Sequence, residues 1–427
     1  MRTVSLREHE TASVGDLSND KRFTVREIEA LDHAQGAVGV EAFRWTGMNQ
    51  VKAAQYVGMI AAATIRLEIL PKIEGLGLGE TRRVLIRMIG IAWDVPVRDG
   101  EVTGHDYQSH DLLELLIGLF ARRLQAQVRA GLSRAYRRHE DDLSRLRGKM
   151  AVTRQFTKLA ASPQKLACQY DEFTADTDIN RLLLCAVEFL RRRSVRADTQ
   201  RLLSEIAAHF TDVQTATVPD VLSGAIAIDR VNRRWEILVT LARQLLSHVY
   251  QTVHSGERDG IALLFDMNLL FEAYVAAIAR KVCLPLGYLV HFQGPMRCLA
   301  HTEAGRSVFQ TKPDLYFKRG EDVVVLDTKW KHVNPKRYNF DVAQSDAYQM
   351  YGYARVYKSR ATILLYPHHG SIAAQAGLQM LWRFEFGDAD LILATIDVAK
   401  PGDFLASLRS LLVNTDVHNE AILRGDG

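Results

Sequence analysis

The chain has 427 residues and a formal net charge of +4 at neutral pH. That length allows two or three domains with sizeable cores, and so small a charge excludes a polycation that coats nucleic acid by charge alone. With 47% apolar and 24% charged residues, the composition is that of a folded protein rather than a disordered or collagen-like one.

The chain starts with "MRTVSLREHETASVGDLSND", which is polar and has no apolar h-region, so it does not read as a secretory signal. No uninterrupted apolar run approaches the length of a membrane span. A cytoplasmic protein with no membrane partner is therefore expected. "TVREIEALDHA" reads as a short helix. "YVGMIAAATIRLEILPKI" has β-branched residues and partial alternation at Ile65, Leu67 and Ile69, and it ends at Pro71, which predicts a strand or hairpin. "ETRRVLIRMIGIAWDVP" carries a helical period through Val84, Met88 and Ala92, stopped before Pro96.

From about residue 105 to 255 the chain reads as mainly helical. "HDLLELLIGLFARRLQAQVRAGL", "DINRLLLCAVEFLRRRS" and "NRRWEILVTLARQLLSHVY" have apolar residues at helical spacing. Asp111 near the start of the first, with Arg122 and Arg123 further along, suits the helix dipole. Two Arg-rich stretches, Arg122 to Lys149 and Arg191 to Arg201, read as helical; they suit nucleic acid, an acidic partner, or a plain solvated helix face. Cys168, Cys185, Cys283 and Cys298 form no CxxC pair, and no histidine is read at ligand spacing from them. Buried free thiols in a reducing compartment are expected.

The pattern changes again in "VHSGERDG", near residue 255. A helix over "LLFDMNLLFEAYVAAIARKV" is then predicted, with strands around "YLVHFQ" and "SVFQTKPDLYF". "EDVVVLDTKWK" is the clearest strand of the chain. After it come a helix at "SDAYQMYGYARVYK", strands at "ATILLYP", "LQMLWRFEF" and "DLILATIDV", and a closing helix at "PGDFLASLRSLLV" with Asp403 near its start. Helices before and after a mixed strand set predict an α/β domain. The expected organisation is α+β and multidomain: a β-rich region over 1–105, a helical region over 106–255, and an α/β domain with a mixed sheet over 256–427.

Chemistry concentrates in Pro313-Asp314 and Asp327-Thr328-Lys329. Two neighbouring carboxylates suit a hard divalent cation, which prefers oxygen ligands. On an extended strand Asp327 and Lys329 point to one face, with Thr328 pointing away and its carbonyl available as a further ligand. Glu272 on the preceding helix is a candidate third carboxylate. Gln349 and Tyr353 are four residues apart on the following helix and share a face. Alone, Asp-x-Lys reads as a surface ion pair and Pro-Asp as a turn; the set as a whole reads as a nuclease core.

This set resembles the PD-(D/E)xK nuclease superfamily, and the Q-x-x-x-Y helix resembles its RecB-like branch. Further segments resemble the McrC family: "LEILPKI" (67–73), "RMIGIAWDVP" (87–96), "LRGKMAVTRQF" (146–156), "YDEFTADTDINRLLL" (170–184) and "LLFEAYVA" (269–276). They occur in the family order and cover most of the chain. The resemblance implies the endonuclease subunit of a GTP-dependent restriction system, active on double-stranded DNA carrying modified cytosine such as methylcytosine. It implies an McrB-like AAA+ GTPase hexamer as partner, engaged and stimulated by the N-terminal part. Residues from Gln55 to Ile73 are the candidate for that role, although Ala61 to Ala63 equally suit a core.

Carried over by residue, the resemblance makes Asp314 and Asp327 ligands of Mg2+ or Mn2+ and Lys329 the catalytic lysine. Thr328 joins the metal set, and Glu272, Gln349 and Tyr353 join the catalytic set. Lys331, Lys336 and Arg337 are placed for phosphate contacts or for solubility. The chain has no G-x-x-x-x-G-K-[ST], so GTP is expected to be used by the partner and not bound here. A stand-alone RecB-like repair nuclease, or an AAA+ activator that does not cut, are the alternatives.

Overall fold

The computed structural model describes residues 2–15, 23–62, 65–95, 97, 100–162, 164–250, 261–386 and 389–413. Ala63, Pro96 and the stretch "VHSGERDG" lie outside the described residues. Two units are separable: Met1–Leu112 together with Glu257–Gly427, and Leu113–Gly256. The expected first and third regions thus fall largely within one unit.

The first unit begins with strands β1 (Arg2–Arg7) and β2 (Thr11–Ser13), helix α1 (Val25–Val38), and strands β3 (Phe43–Gly47), β4 (Gln50–Ala53), β5 (Tyr56–Ala62) and β6 (Ile65–Leu70). Helices α2 (Leu78–Ala92) and α3 (Gly104–Ser109) follow. The expected hairpin is β5 against β6, antiparallel, with β1 parallel to the outer edge of β6. Thr24 and Glu27 form a capping box on α1, so its first backbone N–H groups are satisfied. Ile28 and Leu31 of that helix pack on the sheet with Ile60, Leu67 and Ile69. Ala61 is part of the buried core.

The second unit holds α4 (Leu112–Arg129), β7 (Ala135–Leu143), β8 (Lys149–Met150), α5 (Val152–Thr157), β9 (Leu166–Thr174), α6 (Asp178–Arg191), α7 (Ala197–Ala207), α8 (Val218–Ser223) and α9 (Glu236–Tyr250). The three predicted helices are present. A three-stranded sheet, ordered β7-β9-β8, interrupts the mainly helical region that was expected and corrects the helical reading of the first Arg-rich stretch beyond Arg129. Its strand "AYRRHEDDL" has no apolar stripe of either period, because both faces are solvated. Cross-strand pairs support the ladder instead: Tyr136 lies against Phe173, His139 stacks on Tyr170, and charged pairs join them. Arg137 sits opposite Glu172 and reaches Asp176 at 3.0 Å, and Arg147 reaches Glu172 at 3.0 Å. Two arginines of the basic stretch, Arg137 and Arg147, are thus answered by acids of the same unit.

The first unit resumes with β10 (Ile261–Asp266), α10 (Met267–Cys283), β11 (Leu289–Phe292), β12 (Arg297–His301), β13 (Ser307–Thr311), β14 (Leu315–Arg319) and β15 (Asp322–Thr328). Helix α11 (Gln344–Tyr357), β16 (Ala361–Pro367), β17 (Gly377–Arg383), β18 (Asp390–Ile396) and α12 (Gly402–Val413) complete it. The predicted helix over "LLFDMNLL" is corrected at its start. "IALLFD" is a strand that pairs antiparallel with β5 and completes the order β1-β6-β5-β10. The helix begins only after Asp266, whose carboxylate caps it by accepting from Asn268 N and Leu269 N.

A six-stranded mixed sheet, β11-β14-β15-β16-β18-β17, carries the rest. β15 runs parallel to β16, and β16 to β18; the other pairs are antiparallel. Alternation along β15 sorts its residues. Val323 and Val325 pack beneath α11 with Met350, Tyr353 and Tyr357, in one cluster with Leu364 and Leu393. Three cysteines are buried free thiols, as expected. Cys298 corrects both the burial and the spacing expectation: it is half-buried, and its Sγ lies 3.3 Å from His301 Nε2.

Candidate active site

The clearest strand of the sequence, β15, is a central strand of the mixed sheet, and it ends in Asp327 and Thr328. Its backbone pairing continues one residue further, where Lys329 N donates to Leu365 O at 2.8 Å. Continued alternation puts Asp327 and Lys329 on the α11 side. Lys329 Nζ lies 2.7 Å from Asp327 Oδ2. That oxygen is buried and receives no well-directed hydrogen bond among the described residues, so the contact is one of charge rather than a shaped donor–acceptor pair.

Helix α11 supplies the next layer. Gln349 is amphoteric here: its Oε1 accepts from Lys329 Nζ at 3.1 Å, while its Nε2 donates to Asp327 Oδ1 at 3.4 Å and to Tyr353 Oη at 2.8 Å. Tyr353 Oη in turn donates to Lys312 O at 3.1 Å, the carbonyl just ahead of Pro313-Asp314. The four-residue spacing read from the sequence therefore builds one continuous hydrogen-bond relay from the helix to both acidic motifs.

Asp314 lies just before β14. Its Oδ2 accepts from Thr328 N and from Thr328 Oγ1, both at 2.7 Å. Thr328 thus acts on Asp314 through its amide and hydroxyl. Glu272, on α10, is 7% exposed and lies near enough to Asp314 and Asp327 for both charges to act on it. The expected set of Asp314, Asp327, Thr328, Lys329, Glu272, Gln349 and Tyr353 is brought together at one end of β15.

Electrostatics separate this site from an ordinary ion pair. Burial, reinforced by Asp314 and Asp327, pushes Glu272 up to about 7. Burial, then the charge of Asp314, pushes Asp327 up to about 6. Burial also raises Asp314, against the lowering pull of the Thr328 bonds and of Lys329 and Lys312. For Lys329, burial works to lower the value, but Asp327, Asp346 and Asp314 outweigh it and the ammonium is held charged. The buried Asp327 and Glu272 and the half-buried Asp314 thus lie together, with Lys329 acting on Asp327 and Asp314, and Lys312 on Asp314 and Glu272. Such a donor set, hard, anionic and under-compensated, fits a Mg2+ or Mn2+ ion.

Sequence reasoning missed several neighbours. Lys331 is not a free phosphate contact, because its Nζ is 2.5 Å from Asp346 Oδ2. Lys336 and Arg337 are exposed in the loop beyond. Gln293 holds Lys312 Nζ through its Oε1 at 2.8 Å. Trp330 packs edge-on against Phe271, and its Nε1 donates to Glu8 Oε2 at 2.9 Å. Glu8 is 2% exposed, also accepts from Lys72 N, and is pushed up to about 7 by burial. No local pattern marks Glu8, since its partner lies more than three hundred residues away in sequence.

A family model described as McrBC 5-methylcytosine restriction system component matches residues 51–367. Among solved structures, the chain is similar to one in a half-complex from a tetradecameric assembly of Thermococcus gammatolerans McrB AAA+ hexamers with bound McrC. The identity is 21% and the TM-score 0.69, over 96% of this chain and 99% of that one. A second likeness is to a chain of the Thermococcus gammatolerans McrBC complex, 23% identical with a TM-score of 0.51, over 66% of this chain and 88% of that one. No curated protein matches. No helix among the described residues is long and apolar enough to cross a membrane.

Proposed function

The chain belongs to the family of McrBC 5-methylcytosine restriction system components, and from that premise we propose that it is the McrC-type endonuclease subunit of a GTP-dependent restriction complex. Its partner is an McrB-like AAA+ GTPase hexamer, and its substrate is double-stranded DNA carrying modified cytosine. The observation that carries the nuclease reading is the convergence of Asp314, Asp327, Glu272 and Lys329 at the end of β15, tied together by Gln349 and Tyr353. The fold likeness to the McrB-bound McrC assembly supports the partner.

The site is read as a PD-(D/E)xK core. Asp314 and Asp327, with Glu272 behind them, would hold Mg2+ or Mn2+, with the Thr328 carbonyl as a further ligand. Such an ion supplies Lewis-acid polarisation of the scissile phosphate and lowers the pKa of bound water. Lys329 stays protonated beside these carboxylates and places positive charge where the transition state gathers negative charge. Gln349 holds that ammonium through one amide end and Asp327 through the other, so the pair is oriented before DNA arrives. Tyr353 fixes Gln349 and anchors the carbonyl of Lys312. The stimulation of partner GTP turnover is assigned to the N-terminal part; within the candidate segment 55–73 strands β5 and β6 are buried, which leaves exposed residues such as Gln55 and Lys72 for the partner.

The test is cleavage of methylated plasmid by the reconstituted complex with GTP and Mg2+. Asp327→Ala and Asp314→Ala are expected to abolish cutting while leaving partner GTP turnover stimulated. Full cutting by either variant removes the proposed site. Robust cutting by the isolated chain without partner or nucleotide would instead favour a stand-alone nuclease.

A further inference from the structure

A second group of ligand-type side chains lies in the first unit, apart from the carboxylate site. Glu74 follows β6, His332 follows β15, and His369 follows β16. One ligand atom from each lies within 4.8 Å of the others. Glu74 Oε1 is 3.8 Å from His332 Nδ1, and the two imidazole rings are tilted by 33° with centroids 4.6 Å apart.

A surface ion pair beside a ring contact would account for Glu74 and His332, which are exposed. It does not account for His369. That residue is 6% exposed, and its Nε2 is buried with no hydrogen-bond partner among the described residues. A buried polar atom left unpaired is destabilising, so it calls for a partner. Its other nitrogen, Nδ1, is 2.7 Å from Ser371 Oγ. With Nδ1–H donating to Ser371, the Nε2 lone pair is the one left to take a ligand. This is the arrangement in which metal-bound histidines are held, one nitrogen on the ion and the other fixed by a hydrogen bond.

We propose that Glu74, His332 and His369 bind a divalent transition metal ion of the zinc class, with water in the remaining position. Two imidazoles and one carboxylate select such an ion over Mg2+, which prefers an all-oxygen shell. Tetrahedral zinc with bonds of about 2.0–2.1 Å draws its ligand atoms to roughly 3.3 Å apart. Rotation of the exposed Glu74 and His332 side chains toward the fixed His369 closes that difference. The ion joins three chain segments: the turn after β6, the loop leaving the end of β15, and the segment after β16. It would therefore hold the catalytic strand's exit against the segment that follows the N-terminal hairpin.

The experiment uses the full chain, stripped with chelator, loaded with Zn2+ and passed through gel filtration before metal analysis. An Asp327→Asn background separates this site from the carboxylate site. Co2+ loading gives a visible ligand-field spectrum as a second readout. One retained zinc per chain is expected, in the wild type and in Asp327→Asn alike, with a tetrahedral Co2+ spectrum. Both signals are expected to be lost in His332→Ala and Glu74→Gln, which change exposed residues and leave the fold in place by circular dichroism. His369→Ala is the third arm; the two exposed variants decide the matter even if it fails to fold. No retained zinc in the wild type, or equal retention and an unchanged Co2+ spectrum in both exposed variants, overturns the proposal. Neither outcome bears on nuclease activity, so this site and the proposed function fail separately.

Discussion

Two sets of carboxylates in the first unit, each with buried members, have opposite electrostatic designs. On β6, Glu68 is fully buried and fully answered: Arg82 Nε and Nη2 donate to its two oxygens at 2.8 and 2.7 Å, and Ser5 Oγ donates at 2.8 Å. Nearby, Arg66 pairs with Asp111 at 2.5 Å, both buried. At the end of β15 the charges of Asp314 and Asp327 act on Glu272 and that of Asp314 on Asp327, with Lys329 in contact with Asp327 and Lys312 acting on Asp314 and Glu272. The first set is a neutralised, bidentate structural network. The second holds excess negative charge in a low-dielectric place, where it is costly unless a cation joins it. Burial alone does not distinguish structure from function; the state of compensation does.

The largest expected effect breaks the comparison on its catalytic side. Lys329→Ala removes the positive charge facing the scissile phosphate, and cleavage by the complex is expected to fall by on the order of a thousandfold. Measured in parallel, stimulation of partner GTP turnover should persist. Loss of both activities together would mean that Lys329 supports the fold or the partner contact instead.

Stability gives the next contrast, and here the two sets should respond with opposite signs. Glu68→Ala strands Arg82 in the interior and is expected to cost about 3–5 kcal/mol. Asp327→Asn removes one of three crowded charges, so in chelator it should raise the melting temperature while cleavage disappears. Thermal denaturation of both variants in excess EDTA decides the point. A destabilised Asp327→Asn would show that Lys329 already compensates the site.

pH sharpens the same contrast. In the folded, metal-free chain Glu272 is raised from 4.5 to about 7, so the folded state binds its proton more tightly than the unfolded state does. Its contribution to stability is therefore complete below about pH 4.5 and is lost as pH rises through about 7. Melting temperature in EDTA should decline over that window, and Glu272→Gln should flatten the decline. Mg2+ affinity should run the other way, rising toward about tenfold per pH unit for each proton displaced. A flat affinity profile between the two values would take Glu272 out of the metal set.

Much of this was legible in the sequence, for reasons that particular residues make plain. β15 was visible because a β-branched run on a central strand has few other ways to be buried, and the alternation it implies placed Asp327 and Lys329 together. Gln349 and Tyr353 were visible because helical spacing of four needs no tertiary knowledge. The sheet of β7, β8 and β9 was not, because β7 is paired through exposed charged and aromatic cross-strand contacts and carries no apolar period. The "LLFD" half of β10 reads as helix because it runs into a genuine helix, and only its pairing with β5, some two hundred residues earlier in sequence, makes it a strand. Glu8 beside Trp330 was invisible for the same reason of distance in sequence.

The smallest expected effect tests the relay rather than the ion. Tyr353→Phe keeps the ring that packs under α11 but removes the hydroxyl shared by Gln349 Nε2 and Lys312 O. Gln349 then loses the partner that fixes its amide, while its bonds to Lys329 and Asp327 can still form. Cleavage should slow by about tenfold, corresponding to the loss of roughly one hydrogen bond of positioning. Mg2+ affinity should be unchanged, since no carboxylate is touched. Gln349→Ala, which severs both ends of the relay, should lie between this variant and Lys329→Ala. If Tyr353→Phe instead weakens Mg2+ binding, the hydroxyl acts by placing the Lys312–Asp314 segment. The relay from α11 would then serve Asp314 more than it serves Lys329.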